Sequence, residues 1–217
     1  MWYSIGMKEK TKDKKELKET VEYREYISIP DDVNESVAIS GEVYARIVEV
    51  YKIPLEMLRQ DLQRSEMEIR NKDVEHAYVY IEDGTVYHVE GTECMVNTEA
   101  VMGKKEEGAI IATHNHPKTT RGIPSMSDIW QAFSLKIKEQ RTVGSDKVFV
   151  ITINNFEDST LEAMRKIGFM INMRHGEKFG ERARTEMKVQ EMVKQGLITF
   201  SEETLPPVHR EGEIQQK

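Results

Sequence analysis

The chain contains one cysteine among 217 residues, so it cannot form an internal disulfide bond. This excludes a small secreted fold held together by disulfides and favours a reducing interior. The sequence also lacks an apolar run long enough to span a bilayer, and the apolar stretch at residues 1–6 is too short for a signal peptide. We therefore expect a soluble, cytoplasmic protein with no membrane partner.

Acidic residues outnumber basic ones. The sequence has 31 lysines and arginines and 38 aspartates and glutamates, which gives a net charge of −7. A protein that binds nucleic acid broadly presents a basic face to the phosphates. The acidic balance therefore argues against nucleic acid as a partner. The length suffices for one hydrophobic core, or for a core domain with helical appendages. The sequence leaves the oligomeric state open.

Charge and apolar spacing divide the chain into a core and its extensions. Residues 7–26 form a charged run with few apolar positions, which is typical of a mobile or weakly helical tail. Apolar residues recur at helical spacing at 43–51 and, after Pro54, at 55–62, which predicts two helices. The expected divisions are a charged tail at 1–26, a helical lead-in at 27–72, a core at 73–154, C-terminal helices at 155–205 and a disordered tail at 206–217.

Apolar runs predict the strands of the core. Apolar and polar residues alternate in segments 76–81 and 85–90, and Asp83-Gly84 between them is typical of a turn. This pattern indicates a β-hairpin. Residues 147–153 form an apolar run, as a strand covered on both faces would.

After the core, apolar residues again recur at helical spacing. This spacing predicts helices at 158–170 and 178–195, the second of them ended by Gly196. The fold class expected from these elements is α/β (α+β), a mixed β-sheet packed with helices and carrying N- and C-terminal helical extensions.

Residues 114–128 read HNHPKTTRGIPSMSD and are the most informative stretch of the chain. His114 and His116 follow an apolar run at 109–112 that indicates a buried strand, where residues i and i+2 point to the same face. Both imidazoles can therefore reach one ion. Asp128 opens a helix and could supply a third ligand. Two nitrogens and one carboxylate, with a fourth position left for water, are the ligand count of a catalytic zinc site.

Each piece of this stretch also has a simpler interpretation. Ser125 and Asp128 fit a capping box, in which a serine caps the helix and a carboxylate three residues on reaches back. Paired histidines at a strand end are frequent without a metal. The joint pattern of buried strand, HxHP, short loop and PSxxD is what favours a metal site. Cys94 has no partner that suggests thiol chemistry, and we expect a small buried residue there.

The stretch resembles the motif of the JAMM (JAB/MPN) metalloprotease family, in which HxHP precedes a serine and an aspartate spaced SxxD. The matching residues are His114, His116, Pro117, Pro124, Ser125 and Asp128. The HNHP and PS forms look most like RadC-like domains and the JAB domains associated with Mu-like phage head proteins. One departure is that residues 117–124 put eight positions between the second histidine and the serine, where the family usually has seven. An extra loop residue costs little free energy.

The family pattern also includes a glutamate upstream of the histidines. Glu75 stands at the entrance of the strand predicted at 76–81, and this opening, followed by the Asp-Gly turn, resembles that of the family. Glu68 is the second candidate. His76 would point to the opposite face of the strand, so we expect a packing or surface residue. Further carboxylates in this region are Glu90, Glu93 and Glu99.

The resemblance implies a JAB/MPN-like fold and a zinc-dependent hydrolase of peptide or isopeptide bonds. One Zn²⁺ per chain would be held by His114, His116 and Asp128. Glu75 would take the proton of the attacking water, and Ser125 would donate a hydrogen bond to the developing oxyanion. The substrate would be a protein or peptide, such as one with a ubiquitin-like tail. The alternative is a non-catalytic interaction module of the same fold in a phage-like or DNA-associated complex.

Overall fold

The structure is a computed structural model in which residues 23–27, 38–39, 42–43, 46–96, 98, 109–117, 123–176 and 178–207 are described. These residues form a mixed α/β arrangement of an eight-stranded, mostly antiparallel sheet with four α-helices. None of the helices in this part of the chain has the length and apolar character needed to cross a bilayer.

The sheet has the strand order β1-β4-β6-β5-β7-β8-β9-β10, and β2 and β3 pair separately. The strands are β1 (Glu25–Ile27), β2 (Ala38–Ile39), β3 (Glu42–Val43), β4 (Arg46–Lys52), β5 (His76–Ile81), β6 (Thr85–Glu90), β7 (Ala109–Asn115), β8 (Glu139–Val143), β9 (Lys147–Ile153) and β10 (Ile198–Thr204). The helices are a 3₁₀ turn at Leu55–Met57 followed by α1 (Leu58–Ile69), α2 (Met126–Ser134), α3 (Asp158–His175) and α4 (Glu181–Lys194).

The hairpin predicted at the start of the core is confirmed as β5 and β6, with both pairs of bounds as expected. Gly84 closes the turn with φ of +83°, a conformation that glycine adopts without a steric penalty. The apolar run at 147–153 is confirmed as β9. Gly196, with φ of +69°, follows the end of α4 in the position predicted from the sequence.

Helices cover both faces of the sheet. On one face, Tyr78 and Tyr80 of β5 pack against Leu62 and Ile69 of α1. On the other face, residues of the same strand that point the opposite way pack against α2, α3 and α4. Because successive side chains of a strand alternate between faces, β5 is buried along its whole length.

The segment at 46–52, which helical spacing assigned to a helix, is strand β4. Its register against β6 shifts between Ile47 and Glu49, which marks a β-bulge. A bulge inserts one residue and interrupts the alternation of faces. Ile47 and Val50 therefore lie in one apolar cluster although they are three positions apart, whereas Tyr51 lies in another. The helix predicted after Pro54 is confirmed as α1.

The sheet extends beyond the core expected at 73–154. Strand β1 includes Glu25 and Tyr26, which the sequence placed in the charged tail, and it pairs with β4. Strand β10 follows the two C-terminal helices and pairs with β9 along seven residues. The extensions are thus partly β-structure that completes the central sheet. The rest of the predicted tails, 1–22 and 208–217, lies outside the described residues.

Candidate metal centre

The two histidines lie at the end of β7. His114 shares a face of the strand with Ala112, which packs against the helices of the α2 side. His116 follows directly after the strand, and its backbone N–H donates to the carbonyl of Val143 at 3.2 Å. This bond continues the pairing of β7 with β8, so both imidazoles are held toward α2.

Asp128 reaches the same point from the first turn of α2. Ser125 caps the helix, because its hydroxyl accepts a hydrogen bond from the backbone N–H of Asp128 at 3.2 Å. In return, the carboxylate of Asp128 accepts from the backbone N–H of Ser125 at 2.5 Å. The capping box expected from the sequence is therefore complete. The box also fixes the direction of the carboxylate, so one residue supplies both the cap and a possible ligand.

The three side chains converge on one position. Nε2 of His114 lies 3.1 Å from Nε2 of His116 and 3.5 Å from Oδ1 of Asp128. Nε2 of His116 lies 3.6 Å from Oδ2 of Asp128. A tetrahedral zinc ion with bonds of about 2.0–2.1 Å separates its ligand atoms by about 3.3 Å. This buried His-His-Asp group could therefore hold a metal ion.

The charges at this position favour a cation. Burial by itself would raise the pKa of Asp128, but the adjacent imidazoles of His114 and His116 hold it well below its ordinary value. Burial also opposes charge on His114, yet Asp128 and Glu75 raise its pKa above the usual value. Two carboxylates thus surround the imidazoles in a buried space. A divalent cation bound there would compensate the negative charge of these carboxylates.

Glu75 lies beside the triad. Ala77 pairs with His114 across β5 and β7, and continuing this antiparallel register by two residues places Glu75 opposite His116. Glu75 is buried and lines the same cavity as the triad. Burial raises its pKa, while His114 and His116 oppose the shift. The structure thus places Glu75 beside the two histidines and Asp128, and a carboxylate with a raised pKa is suited to proton transfer.

Asn115 positions the backbone that carries Glu75. Its side-chain oxygen accepts from the backbone N–H of His76 at 2.6 Å, and its amide nitrogen donates to the carbonyl of Val74 at 3.1 Å. The residue between the two histidines therefore fixes the chain on both sides of the glutamate. No role for Asn115 was predicted from the sequence. The signal was an amide side chain within an apolar strand, between His114 and His116, because such a group needs partners on a neighbouring strand once it is buried.

The competing glutamates differ in location. Glu68 lies on α1, which packs on the opposite face of the sheet from the triad. Glu90 pairs with Arg46 at the surface. Glu93 lines the cavity but is exposed, and Glu99 lies outside the described residues. Among the described glutamates, Glu75 is the buried one that lines the cavity.

The cavity around the triad has a volume of about 520 Å³. Its wall includes Gln131 and Gln140, which the sequence analysis did not single out. Cys94 also lines the cavity and is exposed, so the expectation of a buried cysteine was wrong. The irregular segment 91–96 holds Cys94 at the surface. The interior volume is sufficient for part of a peptide chain.

His76 points away from the centre, as expected. Its ring is buried on the other face of the sheet, with Nδ1 lying 3.0 Å from Nε2 of His88. The ring of His88 in turn stacks on Tyr78 at a centroid distance of 4.2 Å. His76 is therefore a packing residue and contributes no ligand to the triad.

No protein-family model matches the chain, and comparison with curated proteins and with solved structures also finds no match. The resemblance to the JAMM family therefore depends on the motif residues and on how they are arranged.

Proposed function

We propose that the protein is a zinc-dependent hydrolase of peptide or isopeptide bonds with a JAB/MPN-like fold. The observation that carries this proposal is the convergence of His114, His116 and Asp128 on one position, in a cavity that also contains a buried glutamate. A metal site with three protein ligands and access to a cavity is of the catalytic type, since structural zinc sites have four protein ligands.

In the proposed hydrolysis, the metal, Glu75 and Ser125 each have a separate role. Bound zinc supplies the Lewis acid that polarises the scissile carbonyl and acidifies the attacking water. Glu75 accepts the proton of that water and passes it to the departing amine. Ser125 uses its hydroxyl oxygen as the acceptor in the helix cap, so its hydroxyl hydrogen remains able to donate to the oxyanion.

The proposed substrate is a protein or peptide whose chain enters the cavity in an extended form, such as the tail of a ubiquitin-like protein. A narrow tail suits the site because the three ligands and Glu75 are largely buried. An extended segment could bring a peptide bond to these buried atoms, which line the cavity.

The test compares Glu75→Gln with Glu93→Gln, because both carboxylates line the cavity but only the first is buried beside the triad. We expect both variants to bind one zinc ion per chain, measured by elemental analysis. Cleavage of a peptide library and of fusions with Gly-Gly tails should fall by about 10²–10⁴-fold in the Glu75 variant only. Undiminished cleavage by the Glu75 variant contradicts its role. Zinc-loaded protein without any chelator-sensitive cleavage would instead support the non-catalytic module.

A further inference from the structure

We propose that Gln140 is a positioning residue of the metal centre, whose side-chain oxygen accepts a hydrogen bond from Nδ1–H of His114 and so directs Nε2 of that histidine toward the metal. This inference rests on the proposed zinc site and adds to it a residue that belongs to neither the ligand set nor the HxHP and SxxD motifs.

The contact is made across two neighbouring strands. Gln140 is a residue of β8, and it pairs with Ala112 of β7, two positions before His114. Its side chain is 3% exposed, and its amide lies 2.9 Å from Nδ1 of His114. The opposite nitrogen of the same ring, Nε2, faces His116 and Asp128. The imidazole is thus held between the amide on one side and the ligand position on the other.

The metal determines which ring nitrogen carries the proton. A nitrogen that binds a metal has no hydrogen, so a neutral His114 with Nε2 on zinc has its proton on Nδ1. That proton points at Gln140 and needs an acceptor. The oxygen of the amide can accept it, whereas the NH₂ group cannot.

The amide can present its oxygen to the ring by rotating in place, with no shift of the rest of the side chain. The oxygen and nitrogen of a glutamine side chain have nearly the same shape, so a half-turn of the amide exchanges them. Within the described residues, Oε1 of Gln140 is buried and has no hydrogen-bond partner while the nitrogen faces His114. No other bond to the oxygen therefore opposes the exchange.

Metal-binding histidines commonly donate their second N–H to a carboxylate, a carbonyl or a water, and loss of that partner weakens metal binding by about 10- to 100-fold. Gln140 has the place and the chemistry of such a partner for His114. A role limited to packing would need only the shape of the side chain, which methionine reproduces closely. The two roles therefore predict different results for Gln140→Met.

The experiment measures zinc affinity by competition with a chromophoric chelator for the full chain and three variants. Gln140→Met removes the acceptor, Gln140→Glu keeps an oxygen facing the ring, and Gln131→Met makes the same change elsewhere in the cavity wall. We expect the dissociation constant to rise about 10- to 100-fold in Gln140→Met. It should stay near the wild-type value in Gln131→Met and be equal or lower in Gln140→Glu.

A second readout is the proton position. In the zinc-loaded wild-type protein, ¹⁵N chemical shifts of the imidazole should show the hydrogen of His114 on Nδ1.

Wild-type affinity in Gln140→Met overturns the inference, and so does a His114 proton on Nε2 in the zinc-loaded protein. If Gln140→Met does not fold, Gln140→Glu decides, because weaker binding in that variant contradicts an acceptor at this position. Wild-type protein that takes up no zinc contradicts the proposed function itself and is thereby distinguished from failure of the Gln140 contact alone.

Discussion

Ser125 has two proposed roles, and each of them uses a different atom of its hydroxyl group. Its hydroxyl oxygen accepts from the N–H of Asp128 in the helix cap, and its hydroxyl hydrogen is the proposed donor to the oxyanion. Glycine is a tolerable cap residue but offers no hydroxyl, whereas alanine is a poor cap as well. The pair of variants therefore distinguishes loss of the cap from loss of the donor.

We expect Ser125→Ala to lower the free energy of unfolding by about 1 kcal/mol and Ser125→Gly by only a few tenths. Both variants should lose about 10²-fold in kcat, because neither can donate to the oxyanion. Urea denaturation and steady-state kinetics on a cleavable peptide give the two quantities. If kcat falls only in Ser125→Ala, the less stable variant, and stays close to wild type in Ser125→Gly, the serine acts only as a cap.

His76 makes the stability of the protein depend on pH. Burial, together with the adjacent His88, lowers the pKa of His76 from 6.5 to about 4. Between these pH values the unfolded chain binds more protons than the folded protein, so stability is lost as the pH falls from 6.5 toward 4. The full contribution is on the order of 3 kcal/mol.

His76→Gln removes this titration and keeps a group that can hydrogen-bond to His88. In zinc-free urea denaturation, we expect the wild type to lose about 1–2 kcal/mol relative to the variant between pH 7 and pH 5. An equal loss in both proteins would show that other groups account for the acid sensitivity.

At the scale of elements, a buried ion pair fixes the residue before β1 to helix α1. Nε of Arg24 lies 2.5 Å from Oδ1 of Asp61 on α1, and both side chains are almost fully buried. Tyr51 and Tyr80 also donate to the carboxylate of Asp61. The segment just before β1 is therefore part of the folded structure, although its sequence resembles the charged tail before it.

We expect Arg24→Met to lower the free energy of unfolding by about 3 kcal/mol, because the buried side chain of Asp61 would lose its cationic partner. Arg182→Met is the matched control. It removes an exposed ion pair with Glu186 one helical turn away, which is worth about 0.3–0.5 kcal/mol. Equal effects of the two substitutions, measured by urea denaturation, would contradict the importance of the Arg24 contact.

The elements that the sequence predicted are those whose apolar pattern follows one periodicity. Strands β5, β6 and β9 alternate or are continuously apolar, and their bounds were predicted correctly. Strand β4 was missed because its bulge imitates helical spacing. Strand β8 was missed because it reads EQRTV, and its buried Arg141 is tolerated through ion pairs with Glu139, Glu66 and Glu203. Glu66 and Glu203 are distant from Arg141 in sequence and cannot be found from a local window.

The residues of the candidate site also divide into those that a local pattern predicts and those that depend on contacts distant in sequence. The motif contains the three candidate ligands and the cap within fifteen positions, so local spacing was enough to single them out. Gln140 contacts His114 across a strand pair, and Asn115 reaches back to Val74 and His76. These contacts depend on strand order and register, which spacing along the chain does not reveal.

At the scale of the whole molecule, the candidate metal centre brings together elements that are distant in the chain. Glu75 precedes β5, the histidines end β7, Asp128 begins α2 and Gln140 lies on β8. A metal ion bound to this group therefore links the middle of the sheet to the helical layer on one face. Because the unfolded chain does not bring these ligands together, metal binding should stabilise the folded protein.

We expect a chelator to lower the melting temperature of the zinc-loaded protein. At free zinc about 100-fold above the dissociation constant, binding adds about 2.7 kcal/mol, which corresponds to about 5–10 °C for a chain of this size. His116→Ala, which lacks one ligand, should melt at nearly the same temperature with and without the chelator. Differential scanning calorimetry at fixed protein concentration measures both. Identical melting curves for the wild type in zinc and in chelator would contradict a metal ion at this position, because a ligand bound only to the folded state must raise its stability.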